Sequence, residues 1–230
     1  MRANSTAGGR SSVVGEVRRR QIVDAAAVAL ARDGVEGASL ARIAAVAGLS
    51  STGMISYHFP GKEAVFASLT ERLLRACAAD LRAAVDAAPD APAALNAYIA
   101  AFVAFQDAHR DGVSALRRLL ARGPTPADAA GPAAGSVAAV LLREAPALAE
   151  PLVTLLERGC AEGDFRPVNV RWTARGIQCA VEGFHDLFHA DPGIDAAAFT
   201  AEVQALYANG LRADAPRGGP VPATTERPMP

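Results

Sequence analysis

Apolar residues recur at three- and four-residue spacings along almost the whole chain, and no stretch alternates with the period of a strand. The pattern predicts an all-α protein. Over 16–32, Val17, Ile22, Val23, Ala26 and Leu30 fall on one helical face with arginines opposite, and Asp33-Gly34 stops the helix, the glycine supplying a left-handed cap. Ser39 caps a short second helix over 40–47, with Leu40, Ile43, Ala44 and Ala47 inward, and Gly48 ends it. Ser50 caps a third over 51–59, where Ile55 and Phe59 share a face, and Pro60-Gly61 breaks it. A long helix follows over 62–87, carrying Val65, Phe66, Leu69, Leu73, Cys77 and Leu81 in one stripe. Further helices are expected over 93–109, 113–121, 136–144, 146–162 and 168–190, and a last one capped by Asp195 and reaching about Leu211. The Gly/Pro-rich run 123–135 reads as a connection, the polar 1–14 as a disordered arm and the Pro-rich 213–230 as a disordered tail.

Composition agrees with this reading. Hydrophobic residues make up 51% of the 230 and charged residues 20%, enough for a core and against global disorder. Alanine dominates and aromatics are only 5%, which favours helix over sheet. Three scattered cysteines do not make a disulfide framework, and their apolar neighbours suggest that Cys160 and Cys179 are buried, inert thiols. No run of about 18 uncharged apolar residues and no secretory leader are evident, so no membrane association and a cytoplasmic location are expected.

The net charge of −1 hides an asymmetry: residues 1–62 sum to +4 and the remainder to −5. A basic head on an acidic body suggests a polyanionic partner for the head. Within that head, 39–59 reads helix, tight turn, helix, a helix-turn-helix whose second member can enter a major groove about 12 Å wide. Ser51, Thr52, Ser56, Tyr57 and His58 are hydrogen-bonding groups on that member, and Gly53 permits close backbone approach.

The stretch from about Arg19 to Glu63 resembles the N-terminal domain of TetR-type transcriptional regulators. The resemblance rests on RRRQIVDAAAVALARDGVEGASLARIAAVAGLS, MISYHF and PGKEAVF. It implies that Ser39 contacts phosphate, that Thr52, Gly53 and Met54 meet base edges, and that His58 and Lys62 hold the DNA backbone. Arg42 and Ser50 complete the expected DNA-binding set. Two departures stand out. Ser56 occupies the position where many members carry tyrosine, with Tyr57 one residue later, and the turn over 50–53 is one residue longer, so two base-contact registers stay open. The resemblance further implies three-helix head boundaries of 15–61, a helical effector-binding and dimerisation domain over 62–212, a homodimer on a pseudo-palindromic double-stranded operator, and release by a small, mostly apolar effector, most commonly as a repressor.

Polar candidates for the effector pocket, on otherwise apolar faces, are Tyr98, Gln106, His109, Arg117, Trp172, Gln178 and His185, beside the apolar Phe102. Leu116, Leu120, Leu142, Leu155 and Ile177 add apolar surface to the same body. The helices over 146–162 and 168–190, the second with Gly176 and Gly183 on one face, are the expected dimer seam. His185 and His189 are spaced to chelate, but a third ligand is not evident, and neither metal nor cofactor is expected. An all-helical enzyme or metal-binding protein with purely structural N-terminal helices is the alternative. It lacks a Gly-rich phosphate loop, HExxH, a nucleophile elbow or paired carboxylates, so no enzyme activity is expected. A DNA binder without a ligand, its body only a scaffold, is the third possibility.

Overall fold

A computed structural model describes residues 7–123, 131, 133 and 135–213. Apart from one isolated β-bridge, the regular structure among them is helical: α1 (Ala7–Gly37), α2 (Leu40–Val46), α3 (Gly53–His58), α4 (Lys62–Asp86), α5 (Ala91–Ala108), α6 (Arg110–Arg122), α7 (Val137–Glu144), α8 (Pro146–Glu162), α9 (Val170–Glu182), α10 (Phe184–Ala190) and α11 (Ala196–Leu211). Among the described residues, no helix is long and apolar enough to cross a membrane.

Local chemistry sets most helix ends. Ser39, Asp90, Ser136, Asn169 and Asp195 each accept a backbone N–H of the first turn of α2, α5, α7, α9 and α11. Gly34 (φ 72°) and Gly48 (φ 65°) occupy the left-handed region at the ends of the regular parts of α1 and α2. At the other end, α1 reaches back to Ala7 where an arm was expected over 1–14, because lengthening a helix already nucleated costs little. Residues 1–6 and all of the expected tail beyond Ala213 lie outside the described residues, as does most of the 123–135 connection.

Ile22, Ala26, Leu30, Ile43, Ala44, Ile55 and Phe59 form the core of the three-helix head, as their spacing predicts. Burying each of the larger ones contributes roughly 1.5–3 kcal/mol. Val17 does not join them. It is exposed, and the buried stripe of α1 begins only at Ile22. The stripe on α4 continues this core into the body, where α4 packs on α5, α7 and α8, and α5 packs on α8 and α11. The long face of α1 lies along α6, so the head meets the body through α6 as well as through α4. Leu116 is half-buried, whereas Leu120 and Leu142, expected inward, are exposed.

The helix expected over 168–190 is two helices. At Gly183 the chain tightens: the amide of Asp186 donates to the Gly183 carbonyl rather than to Glu182. Side chains from elsewhere donate to the freed carbonyls. Gln106 Nε2 donates to Val181 O at 2.8 Å, and a guanidinium nitrogen of Arg117 donates to Glu182 O at 3.0 Å. Gly176, expected to admit a second copy, instead admits Tyr207 of α11: a Cβ there would lie 3.6 Å from the phenol oxygen. The outward residues of α8 include Glu150, Glu157 and Arg158, whereas Trp172 and Cys179 on α9 and Leu206 on α11 are exposed.

Candidate nucleic-acid interface

The Ser39 hydroxyl accepts from Arg42 N at 3.1 Å, and Ile43 and Ala44 bury α2 against α1. The turn closes with the amide of Leu49 donating to Ala44 O at 2.9 Å. α3 then runs from Gly53 to His58, shorter than the 51–59 expected. Ser50 is not its cap. The N-cap is Thr52, in αR conformation and making no side-chain capping bond, while the Ser50 hydroxyl lies 3.9 Å from the Met54 sulfur. Ser56 turns its hydroxyl back to Thr52 O at 3.3 Å.

Ile55 and Phe59 hold α3 to the core, and the rest of it looks outward. Ser50, Ser51, Thr52, Gly53, Ser56 and Tyr57 are exposed, and Met54 and His58 are half-buried. Tyr57 is 86% exposed, its ring packed only edge-on against His58, with centroids 5.0 Å apart. A phenol so placed gains nothing from folding.

Two basic candidates are already engaged. Arg42 pairs with Asp33 at 2.6 Å, and the Lys62 ammonium donates to Val35 O at 3.2 Å and lies 5.6 Å from the Phe66 ring centroid. Both contacts tie the end of α1 to the reading unit, on α2 and at the start of α4. α1 supplies two further ties that the residue pattern did not reveal. Arg19 donates to His58 O and lays its guanidinium 4.2 Å from the Phe59 ring centroid, and Gln21 Nε2 donates to Ala47 O at 2.6 Å. A cation at the C-terminal carbonyls of α3 opposes the negative end of its dipole. The basic run 18–20 therefore has a structural use besides its charge, and only the folded contact, 39 residues apart in sequence for Arg19 and His58, reveals it.

The structure sorts the candidate effector residues. Tyr98, Phe102, Gln106, Gln178 and His185 are buried on α5, α9 and α10. Tyr98 donates to Leu148 O at 3.0 Å. Burial pushes its phenol above the ordinary range, against a hydrogen bond with Gln178 that acts the other way. Gln106 and Arg117 are spent on the carbonyls at the α9–α10 break. His185 Nδ1 lies 3.1 Å from Asp186, and its buried Nε2 has no partner. Burial, more than the charges of Arg117 and His189, holds the His185 pKa below its ordinary value. The His185 and His189 rings meet edge-on at 4.7 Å, and no group of three metal-ligating side chains forms among the described residues. Two candidates fall outside the cluster. His109 is exposed at the α5–α6 junction against Phe105, and Trp172 is 79% exposed on the outward side of α9. Cys179, expected to be buried, is exposed, while burial pushes the Cys77 thiol up to about 12.

These features define an all-helical protein that presents a helix-turn-helix at one end of a helical body. Residues 22–69 match the model of the bacterial regulatory proteins, tetR family. Similar solved structures include the fatty acid degradation regulator FadR from Bacillus halodurans (22% identity, 84% of this chain and 99% of that chain, TM-score 0.70). Others are the ketosteroid transcriptional regulator KstR2 of Mycobacterium tuberculosis (21%, 86% and 96%, 0.71) and the FadR of Bacillus subtilis in complex with stearoyl-CoA (18%, 84% and 99%, 0.71). No curated protein matches the chain. Residues 22–69 thus match the N-terminal domain of tetR-family regulatory proteins, and the chain as a whole shares the fold of these regulators.

Proposed function

We propose that this protein is a ligand-responsive repressor that binds a pseudo-palindromic operator as a dimer and is released by a small, mostly apolar effector. The observation that carries the reading is the outward face of α3: Ser51, Thr52, Gly53 and Tyr57 stand exposed on a helix pinned from behind by Ile55, Phe59 and Arg19. Thr52, Gly53 and Met54 would meet base edges. Ser39, Ser50, Ser56, Tyr57 and His58 would hold the strands, and Arg42 and Lys62 would reach phosphate once released from Asp33 and Val35.

A second copy would seat on α9 and α11, where Trp172, Cys179 and Leu206 are exposed, rather than on the charged outer side of α8. Such a two-fold arrangement presents two reading helices to half-sites about one helical turn apart. The buried cluster of Tyr98, Phe102, Gln178 and His185 supports an effector that is apolar with a few polar contacts. The B. subtilis relative holds stearoyl-CoA, which makes long-chain acyl thioesters the first compounds to try. An effector acts only through unequal affinity for the two head spacings.

The test is fluorescence anisotropy with duplexes tiling the promoters beside the protein's own gene. Saturable binding to a duplex with two half-sites, reversed by an acyl thioester, is expected. No binding to any tile at about 50 mM salt, where non-specific affinity is already measurable, overturns it.

A further inference from the structure

Between α1, α3 and α4 lies a recess of about 540 Å³, lined by Arg19, Arg20, Arg72, Tyr57, His58 and Ser68. None of Arg19, Arg20, Arg72 or Ser68 belongs to the reading surface described above. We propose that this recess is a binding site for a phosphate group.

Three guanidiniums reach it, and the acids near them are fewer: Glu16 on its wall, and Asp24, which pairs with Arg72 at 2.5 Å. Arg19 uses one of its five N–H groups on His58 O, leaving the others available. Arg20 is exposed and makes no ion pair or hydrogen bond with the described residues, although it stands one turn from Asp24. An arginine left unpaired beside two that are fixed, over an apolar floor at Val23, focuses positive potential into the cleft. The planar guanidinium fork matches two phosphate oxygens at once. The Tyr57 and Ser68 hydroxyls and the His58 ring supply further hydrogen-bonding groups around the same space.

The phosphate has two possible sources. It is a diester of the DNA strand flanking the major groove that α3 enters, or it belongs to a free phosphorylated small molecule. Tyr57 borders both the recess and the reading face, so either source bears on DNA binding. The first source rests on the regulator reading; the second does not.

The experiment uses the full-length protein and two probes. The first is a mixed-sequence duplex of about 30 base pairs, with affinity measured against salt. The second is pyrophosphate at constant ionic strength, followed by calorimetry. Arg20→Ala is the main variant, because its side chain is exposed and has no hydrogen-bond or ion-pair partner among the described residues, so its loss costs little stability. Arg158→Ala on α8 is the control. If the phosphate is DNA's, Arg20→Ala flattens the slope of log K against log salt by about 0.9, one contact's worth, the control leaves it unchanged, and pyrophosphate does not saturate. If the phosphate is free, pyrophosphate saturates the wild type below millimolar concentration, Arg20→Ala weakens it at least tenfold, and the slope on DNA stays the same. An unchanged slope together with no saturable pyrophosphate overturns the proposal. Failure of the wild type to bind any duplex at low salt refutes the regulator reading instead, and the pyrophosphate arm still decides the recess.

Discussion

Replacing Gln106 by leucine tests how the α9–α10 break is held. The side chain is buried on α5, and its Nε2 donates to Val181 O at 2.8 Å, with a longer bond to Phe102 O at 3.5 Å. Leucine fills nearly the same volume and donates nothing. Phe102 lies within its own helix, but Val181 O is one of the carbonyls that the tightening at Gly183 deprives of a helical partner. The variant therefore loses one net hydrogen bond of about 0.5–1.5 kcal/mol and strands a buried carbonyl at about 1–3 kcal/mol, two views of one loss that do not add. The extra apolar burial of leucine returns a part of it. A net loss of about 1–3 kcal/mol is expected. In urea unfolding followed by far-ultraviolet circular dichroism at fixed protein concentration, with a slope near 3 kcal/mol/M, the midpoint falls by about 0.3–1 M. Arg117→Leu uncovers Glu182 O at the rim, where water can replace the guanidinium, so its loss is smaller. If Gln106→Leu is neutral or stabilising, side-chain capture is not what maintains the break, and Gln106 is free to serve an effector.

Four further outcomes follow from the same structure. Tyr57→Ala leaves the unfolding free energy within about 0.5 kcal/mol of wild type, because the ring is 86% exposed, yet weakens operator affinity by about 1–3 kcal/mol in anisotropy titrations. His185, its folded pKa held below 6.5, binds fewer protons folded than unfolded, so stability is complete above pH 6.5, falls as the pH drops from there toward the folded value, and is flat below it. His185→Gln removes that slope from a set of urea curves at different pH. Gly159→Ala drives a Cβ into the Phe165 ring and to 2.9 Å from the Ala91 methyl, so it costs about 1–3 kcal/mol of overpacking in the same unfolding assay. With a thiol reagent at pH 8 under native conditions, Cys179 is modified and Cys77, buried with its thiol near 12, reacts only after unfolding, as peptide mass mapping will show.

The residue order by itself determined most of the helices and the helix-turn-helix character of the head. Cap, glycine stop and apolar stripe are each read within one or two turns, so Ser39, Gly48, Asp195 and the α4 stripe from Val65 to Leu81 stand in the folded chain where their spacing puts them. The motif from Arg19 to Glu63 was legible for the same reason: its core positions Ile22, Ile43, Ile55 and Phe59 repeat at helical intervals inside a short span.

Tertiary structure alone decided what depends on partners distant in sequence. Periodicity runs unbroken through Gly183, because φ −60° and ψ −21° are helical values, and only Gln106 and Arg117, arriving from 75 and 65 residues away, make release of the two carbonyls tolerable. Trp172 and Cys179 look like core residues in a helix count. Whether such a face is covered depends on which helix packs there, and α11 covers Gly176 while leaving these two open. Arg19 reads as free charge until the fold brings it to His58 O. A helical pattern specifies which face is apolar. Only the three-dimensional packing, through pair distances that no local spacing encodes, specifies what that face meets.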